Sequence, residues 1–224
     1  MNPKLESLRS SGSLPRFIAV EGAIGVGKTT LAHRLAETFN YQVLLERPQE
    51  NPFLERFYQD PKRYALQTQL FFLFQRAEQL RDARQEDLFT DVKVSDFLID
   101  KDKLFAEVTL DEDEYKLYQN VYQHMTFDAP TPDLVIYLQA PSDVLLQRIQ
   151  QRGVASERDI NGAYLDRLND AYARFFHFYD RSPLLIINST DIDIVNREED
   201  YQQLVDYALD IRSGRHYFNP RPLL

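Results

Sequence analysis

Apolar residues along the chain fall into two patterns. Five short runs are dense in Val, Ile, Leu and Phe without clean alternation: RFIAVEG (16–22), YQVLLERP (41–48), VKVSDF (92–97), DLVIYLQA (133–140) and LLIINS (184–189). Such runs predict strands covered on both faces, the condition of a parallel sheet. Between them stand longer helical stretches, among them KTTLAHRLAETF, PKRYALQTQLFFLFQRAEQLRDARQ, DEDEYKLYQNVYQHM, SDVLLQRIQQR and YLDRLNDAYARFFHFYD. The acidic runs DEDE (111–114) and EED (198–200) mark exposed helix starts, where carboxylates favour the helix dipole. Alternation of this kind predicts a doubly wound α/β domain, a five-stranded parallel sheet flanked by helices. In such sheets ligands sit beyond the carboxyl ends of the strands, so chemistry is expected just after each run.

Ahead of the first strand, MNPKLESLRSSGSLP is polar and lacks the apolar run of a signal peptide. It is expected to be a flexible tail (1–15) before one domain (16–224). No 18 consecutive apolar residues occur, so no transmembrane helix is expected. At 224 residues, 43% hydrophobic and 27% charged, the chain can bury a full core. It has no cysteine, which removes disulfides and thiolate metal sites and fits a cytoplasmic location. A net charge of −9 argues against a nucleic-acid or anionic-membrane surface. His33, His124, His177 and His216 have no metal-ligand spacing, and the aromatic-rich YARFFHFYD reads as core or subunit interface.

Three of the seven glycines, Gly22, Gly25 and Gly27, fall directly after the first strand. The segment Gly22-Ala23-Ile24-Gly25-Val26-Gly27-Lys28-Thr29-Thr30 matches G-x-x-x-x-G-K-[ST], with a strand before it and a helix after. A phosphate chain lies against backbone N–H groups, and glycine lets the backbone turn and approach that closely. The helix that follows presents its N-terminus to the anion. Lys28 is expected on the β- and γ-phosphates and Thr29 on Mg²⁺. This loop predicts an ATP-type phosphate site but does not name the phosphoryl acceptor.

After the second strand comes Glu46, then Pro48. A carboxylate there can accept a proton from an attacking hydroxyl, although an ordinary surface salt bridge fits the position too. On the helix starting near Pro61, Gln69, Phe72 and Arg76 share one face. They could wall a nucleobase pocket, while spacing alone favours an amphipathic helix with a polar stripe.

EGAIGVGKTT, the E-x-P after the second strand, NPFLERFYQDPKRYA and the downstream glutamine resemble the deoxynucleoside kinases over roughly residues 16–190. That family includes bacterial deoxyadenosine and deoxyguanosine kinases, deoxycytidine kinase and the mitochondrial-type thymidine kinase. The resemblance implies a P-loop kinase fold and phosphorylation of a deoxynucleoside 5′-hydroxyl by ATP and Mg²⁺. It implies Glu46 as base, Tyr58 on the sugar 3′-hydroxyl, Gln69 on the nucleobase and Ile24 in the pocket lining. Arg76 matches members that take deoxyadenosine, deoxyguanosine or deoxycytidine rather than thymidine. RIQQRGVASERDINGAYL (148–165) resembles the arginine-containing lid, with Arg148 and Arg152 on the transferring phosphoryl group and Glu157 at the 3′-hydroxyl. A homodimer is also implied.

The chain departs from the family after the third strand. Where the family has an acid, an arginine and a serine, it reads VSDFLIDKDKLFA. Asp96 takes the acid's Mg²⁺ role and Phe97 stands at the arginine. A gapless match of LFA to the following helix sets Asp96 opposite the arginine instead. Lys101, Lys103 and Arg158 are the candidate replacement cations, and Val154 stands where the lid commonly has a further arginine. Two other readings remain. A thymidylate-type monophosphate kinase needs an arginine-rich acceptor site, and Phe97 motivates a nucleotide-sensing module with little catalysis.

Overall fold

The computed structural model describes residues 3–86, 93–125, 130–190, 192, 194 and 197–218. Among these, β1 (Phe17–Gly22), β2 (Gln42–Leu44), β3 (Lys93–Ser95), β4 (Leu134–Gln139), β5 (Leu184–Asn188) and β6 (Arg215–Phe218) form one sheet. Its order is β2-β3-β1-β4-β5-β6, and every pairing is parallel. Ile18 of β1 lies level with Val94 of β3 and Leu134 of β4. β1 is buried along its whole length and β4 along all but its last residue, which is why their sequences are dense rather than alternating.

The expected five strands are present, and β6 is a sixth. Its sequence RHYF contributes one buried residue, Phe218, at the sheet edge. RHYF mixes polar and aromatic residues and so lacks the run of Val, Ile, Leu and Phe that marks the other five, including β2 at the opposite edge.

The described helices are α1 (Pro3–Ser10), α2 (Lys28–Phe39), α3 (Leu54–Gln59), α4 (Pro61–Glu86), α5 (Lys101–Thr109), α6 (Glu112–His124), α7 (Ser142–Arg152), α8 (Gly162–Phe178) and α9 (Glu198–Ala208). Both acidic runs lie at helix starts, and Asp111 forms a capping box with Glu114 ahead of α6. α1 lies within the segment expected to be a tail. Its Leu5 is buried, Leu8 packs against the same core, and Lys4 pairs with Asp210 at 2.7 Å. Two leucines one turn apart give this short helix an apolar edge that its polar composition masks.

The strand order places the ends of β2, β3 and β1 side by side. Asp96 N–H donates to Leu44 O at 3.3 Å, joining the last residue of β2 to the residue that follows β3. The phosphate loop, Glu46 and Asp96 therefore converge although they are far apart in sequence.

Candidate active site

Gly22 leaves β1 at φ +145°, and a Cβ there would lie 2.4 Å from Leu138 O of β4. Gly25 sits at φ +83°, where a Cβ would come within 2.8 Å of Ile149 on α7. The loop can hold this path only without side chains at both positions. Lys28 opens α2 and donates to Gly22 O at 2.8 Å and Ala23 O at 3.1 Å. Burial lowers its pKa, aided by the Lys101 charge and opposed by Glu21, Glu46 and Asp96. Thr29 donates its hydroxyl to Asp96 Oδ2 at 2.6 Å. A cavity of about 580 Å³ opens here, lined by Gly25, Gly27, Lys28, Thr29, Thr30, Arg148 and Arg152. Gly22, Ala23 and Val26 do not line it, and the Ala23 and Val26 side chains are buried in the core.

A second cavity, about 820 Å³ including its mouth, adjoins the first and shares Gly25, Lys28, Thr29 and Arg152 with it. Ile24, Glu46, Tyr58, Gln69, Phe72, Arg76 and Glu157 all line it. α4 supplies Gln69, Phe72 and Arg76 from one face, so the polar stripe points into a cavity rather than into solvent. Asn51 couples α3 to α4, accepting from Phe53 N at 3.0 Å and donating to Thr68 O at 3.2 Å. Tyr58 of α3 and Gln69 of α4 both line the same cavity. Gln75 and Gln79 of α4 donate to Arg47 O at 3.2 Å and Leu45 O at 2.7 Å, clamping the segment that carries Glu46. Gln69 is 3% exposed, and its carboxamide has no hydrogen-bond partner among the described residues.

A buried charge cluster closes the floor. Arg76 Nε donates to Glu46 Oε1 at 2.8 Å, its terminal nitrogens pair with Glu46 and Asp102, and its guanidinium lies 5.0 Å from the Phe72 ring centroid. Lys101, 2% exposed, reaches Glu46 at 3.2 Å and Glu21 at 3.6 Å. Burial opposes ionisation of Glu46, but Arg76, Lys101 and Lys28 outweigh it and hold the pKa at about 2. The Glu46 N–H donates to Asp96 Oδ1 at 2.8 Å, so Asp96 ties Glu46 to Thr29. Burial, with Tyr164, Glu157 and Glu46 nearby, raises the Tyr58 pKa and keeps its hydroxyl protonated.

The family model for deoxynucleoside kinase matches residues 18–211. The chain belongs to the deoxynucleoside kinase family. It is 34% identical over 200 residues to a deoxyguanosine kinase of Bacillus subtilis, covering 87% of this chain and 97% of that one. To a deoxyadenosine/deoxycytidine kinase of the same organism it is 31% identical over 205 residues, covering 87% and 92%. A solved deoxyadenosine kinase from M. mycoides, described with products dCMP and a flexible dCDP bound, superposes with a TM-score of 0.75. Its identity is 25%, and the match covers 85% of this chain and 97% of that one.

In this deoxynucleoside kinase the two arginines expected in the lid are held by partners. Arg148 donates to Ser189 O at 2.8 Å and Ser189 Oγ at 3.2 Å, linking α7 to the end of β5. Arg152 forms a two-point pair with Glu157 at 2.6 and 2.7 Å. Val154 is exposed. Asp191 and Asp193, which follow β5 in the sequence, lie outside the described residues.

Of the candidate cations, Lys101 is in the cavity. Lys103 lies 4.5 Å from the Tyr122 ring centroid, and Arg158 is exposed. Phe97 is buried against a different pocket shared with Phe17, Leu44 and Leu80. Sequence reasoning missed three members of the cluster. Glu21 accepts from Gly22 N, Leu98 N and the Tyr172 hydroxyl at 3.0, 2.6 and 3.0 Å. A lone carboxylate inside the run FIAVEG was the available signal. Asp102 sits in a charged stretch that reads as solvated surface, and Tyr172 sits in a segment read as core or interface.

Proposed function

We propose that this kinase transfers the γ-phosphoryl group of Mg-ATP to the 5′-hydroxyl of a deoxynucleoside in cytoplasmic deoxynucleotide salvage. Deoxyadenosine, deoxyguanosine and deoxycytidine are favoured over thymidine. The observation that carries this reading is Glu46, ionised on the wall of the nucleoside-sized cavity where that cavity meets the phosphate loop. The loop N–H groups and Lys28 receive the donor phosphates. The Thr29 hydroxyl and the Asp96 carboxylate, already in contact, are hard oxygen donors suited to Mg²⁺ that also keeps water and phosphate ligands. Bound there, the ion would neutralise charge on the transferring phosphate.

A carboxylate held near 2 is a weak base toward a free alcohol. Phosphoryl transfer passes through a loose transition state in which the hydroxyl becomes acidic as its bond to phosphorus forms. Glu46 therefore orients the hydroxyl and takes its proton late. Tyr58 and Glu157 hold the sugar, Phe72 stacks on the nucleobase, and the free Gln69 carboxamide pairs with its edge beside Arg76. Arg148 and Arg152 stabilise the charge of the transferring group. Arg76 and Lys101 are each paired with carboxylates, which suits an uncharged nucleoside rather than a monophosphate. Exposed Phe74 and Leu117, on the contacting helices α4 and α6, support a homodimer.

The test is steady-state turnover with Mg-ATP against deoxynucleosides, ribonucleosides and deoxynucleoside monophosphates. Deoxynucleosides are expected to turn over fastest. Glu46→Gln is expected to lower kcat by roughly 10²–10⁴-fold with nucleotide affinity retained. Unchanged turnover in that variant sinks the assignment of Glu46.

A further inference from the structure

Lys101 occupies a place that disfavours a lysine twice over. It is 2% exposed, and it is the first residue of α5, where the helix dipole repels a cation. Glu21 and Glu46 offset that cost. The contacts with Glu46 have a particular division. Both Arg76 contacts go to Oε1. Lys101 lies 3.2 Å from Oε1 and 3.3 Å from Oε2, so it holds the oxygen that Arg76 leaves free. Glu21 anchors the ammonium from behind at 3.6 Å, and Glu21 is itself fixed by three hydrogen bonds.

We propose that Lys101 is a positioning residue for phosphoryl transfer, fixing the rotation of the Glu46 carboxylate and placing a positive charge at the edge of the acceptor cavity. This rests on the role given to Glu46 above. With Lys101 removed, the carboxylate is pinned at one oxygen only and can turn about its end. Misalignment of a group at the reacting centre by about 1 Å costs on the order of 10²-fold in rate. A lysine that merely neutralised Glu21 would affect stability and leave turnover intact.

The chain has no cysteine, which permits a clean substitution series. Lys101→Met is expected to lower kcat by about 10²-fold while the deoxynucleoside KM stays within about threefold. Lys101→Cys, alkylated with 2-bromoethylamine while unfolded and then refolded, regains an ammonium on a side chain of lysine length. It is expected to recover kcat to within about tenfold of the wild type. Circular dichroism and thermal melts establish that each protein is folded. If Lys101→Met does not fold, the thiol variant before and after alkylation supplies the same comparison. A folded Lys101→Met protein with wild-type kcat overturns the proposal, as does a folded alkylated protein without recovery. The wild type assayed alongside separates the two readings: no deoxynucleoside turnover in it defeats the proposed function itself.

Discussion

The cavity over the glycine loop, proposed to take phosphate, and the larger cavity, proposed to take the nucleoside, share a wall but are built in different ways. Most of the first comes from one short stretch, Gly25 and Gly27 to Thr30, bent by glycines and running directly into the N-terminus of α2 at Lys28. The second is assembled from the ends of β1, β2 and β3, from α3, α4 and α5, and from the lid segment. Local backbone geometry shapes the first, whereas buried charge pairs and side-chain-to-carbonyl hydrogen bonds hold the second. Damage to the two should differ in kind, with the assembled site failing through loss of tertiary pairing and the contiguous one through backbone strain.

The largest effect is expected from Arg76→Met. It strands Asp102, which is fully buried, and removes the two contacts to Glu46 Oε1. Breaking a buried ion pair by deleting one partner costs about 3–5 kcal/mol. Chemical denaturation should show that loss, and adding Asp102→Leu should return part of it. A loss below about 1 kcal/mol would mean that the cluster does not hold the nucleoside side together.

Next is the pH dependence of stability. The folded Glu46 pKa is about 2 against 4.5 for an ordinary glutamate. A carboxylate with a depressed folded pKa contributes stability that is complete above about 4.5 and lost as the pH falls through about 2. The linked free energy is ~3 kcal/mol. Denaturation midpoints of the wild type and Glu46→Gln should therefore converge as the pH is lowered across that window. Parallel curves would show that the Glu46 contacts carry no net stabilisation.

The smallest effect on stability is expected from Gly27→Ala, at a residue that lines the first cavity and not the second, about 1–3 kcal/mol from strain at φ +107°. Its binding signature is the sharper one. ATP affinity should fall while deoxynucleoside affinity, measured by titration without nucleotide, is largely kept. Equal losses of both would erase the distinction between a contiguous and an assembled site.

The same distinction explains what could be read from the chain. The helices over 28–39 and 142–152 match the expected segments, because apolar spacing and terminal glycines act locally. The stripe Gln69, Phe72 and Arg76 was visible as one helix face, but its spacing suits a solvated helix equally well. Only the packing of α4 against β2's following segment turns that face toward a cavity. α1 was masked by its polar composition, and β6 by a short sequence of mixed polar and aromatic residues. Phe97 drew attention because it stands where a cation was expected, yet its side chain faces another pocket and Lys101 reaches Glu46 from the next helix.

By itself the sequence determined the doubly wound α/β class, the phosphate loop and the family. Each rests on short-range features: apolar runs, helical spacing and a glycine pattern read over a few residues. The tertiary structure decided which charges meet. Arg76 joins Glu46 to Asp102, Lys101 bridges Glu46 and Glu21, and Tyr172 completes the hydrogen bonding of Glu21. These contacts link residues on five different elements or their flanks. A buried charge is tolerated where its counter-charge is brought to it, and that meeting is fixed by strand order and helix packing rather than by neighbours in the chain.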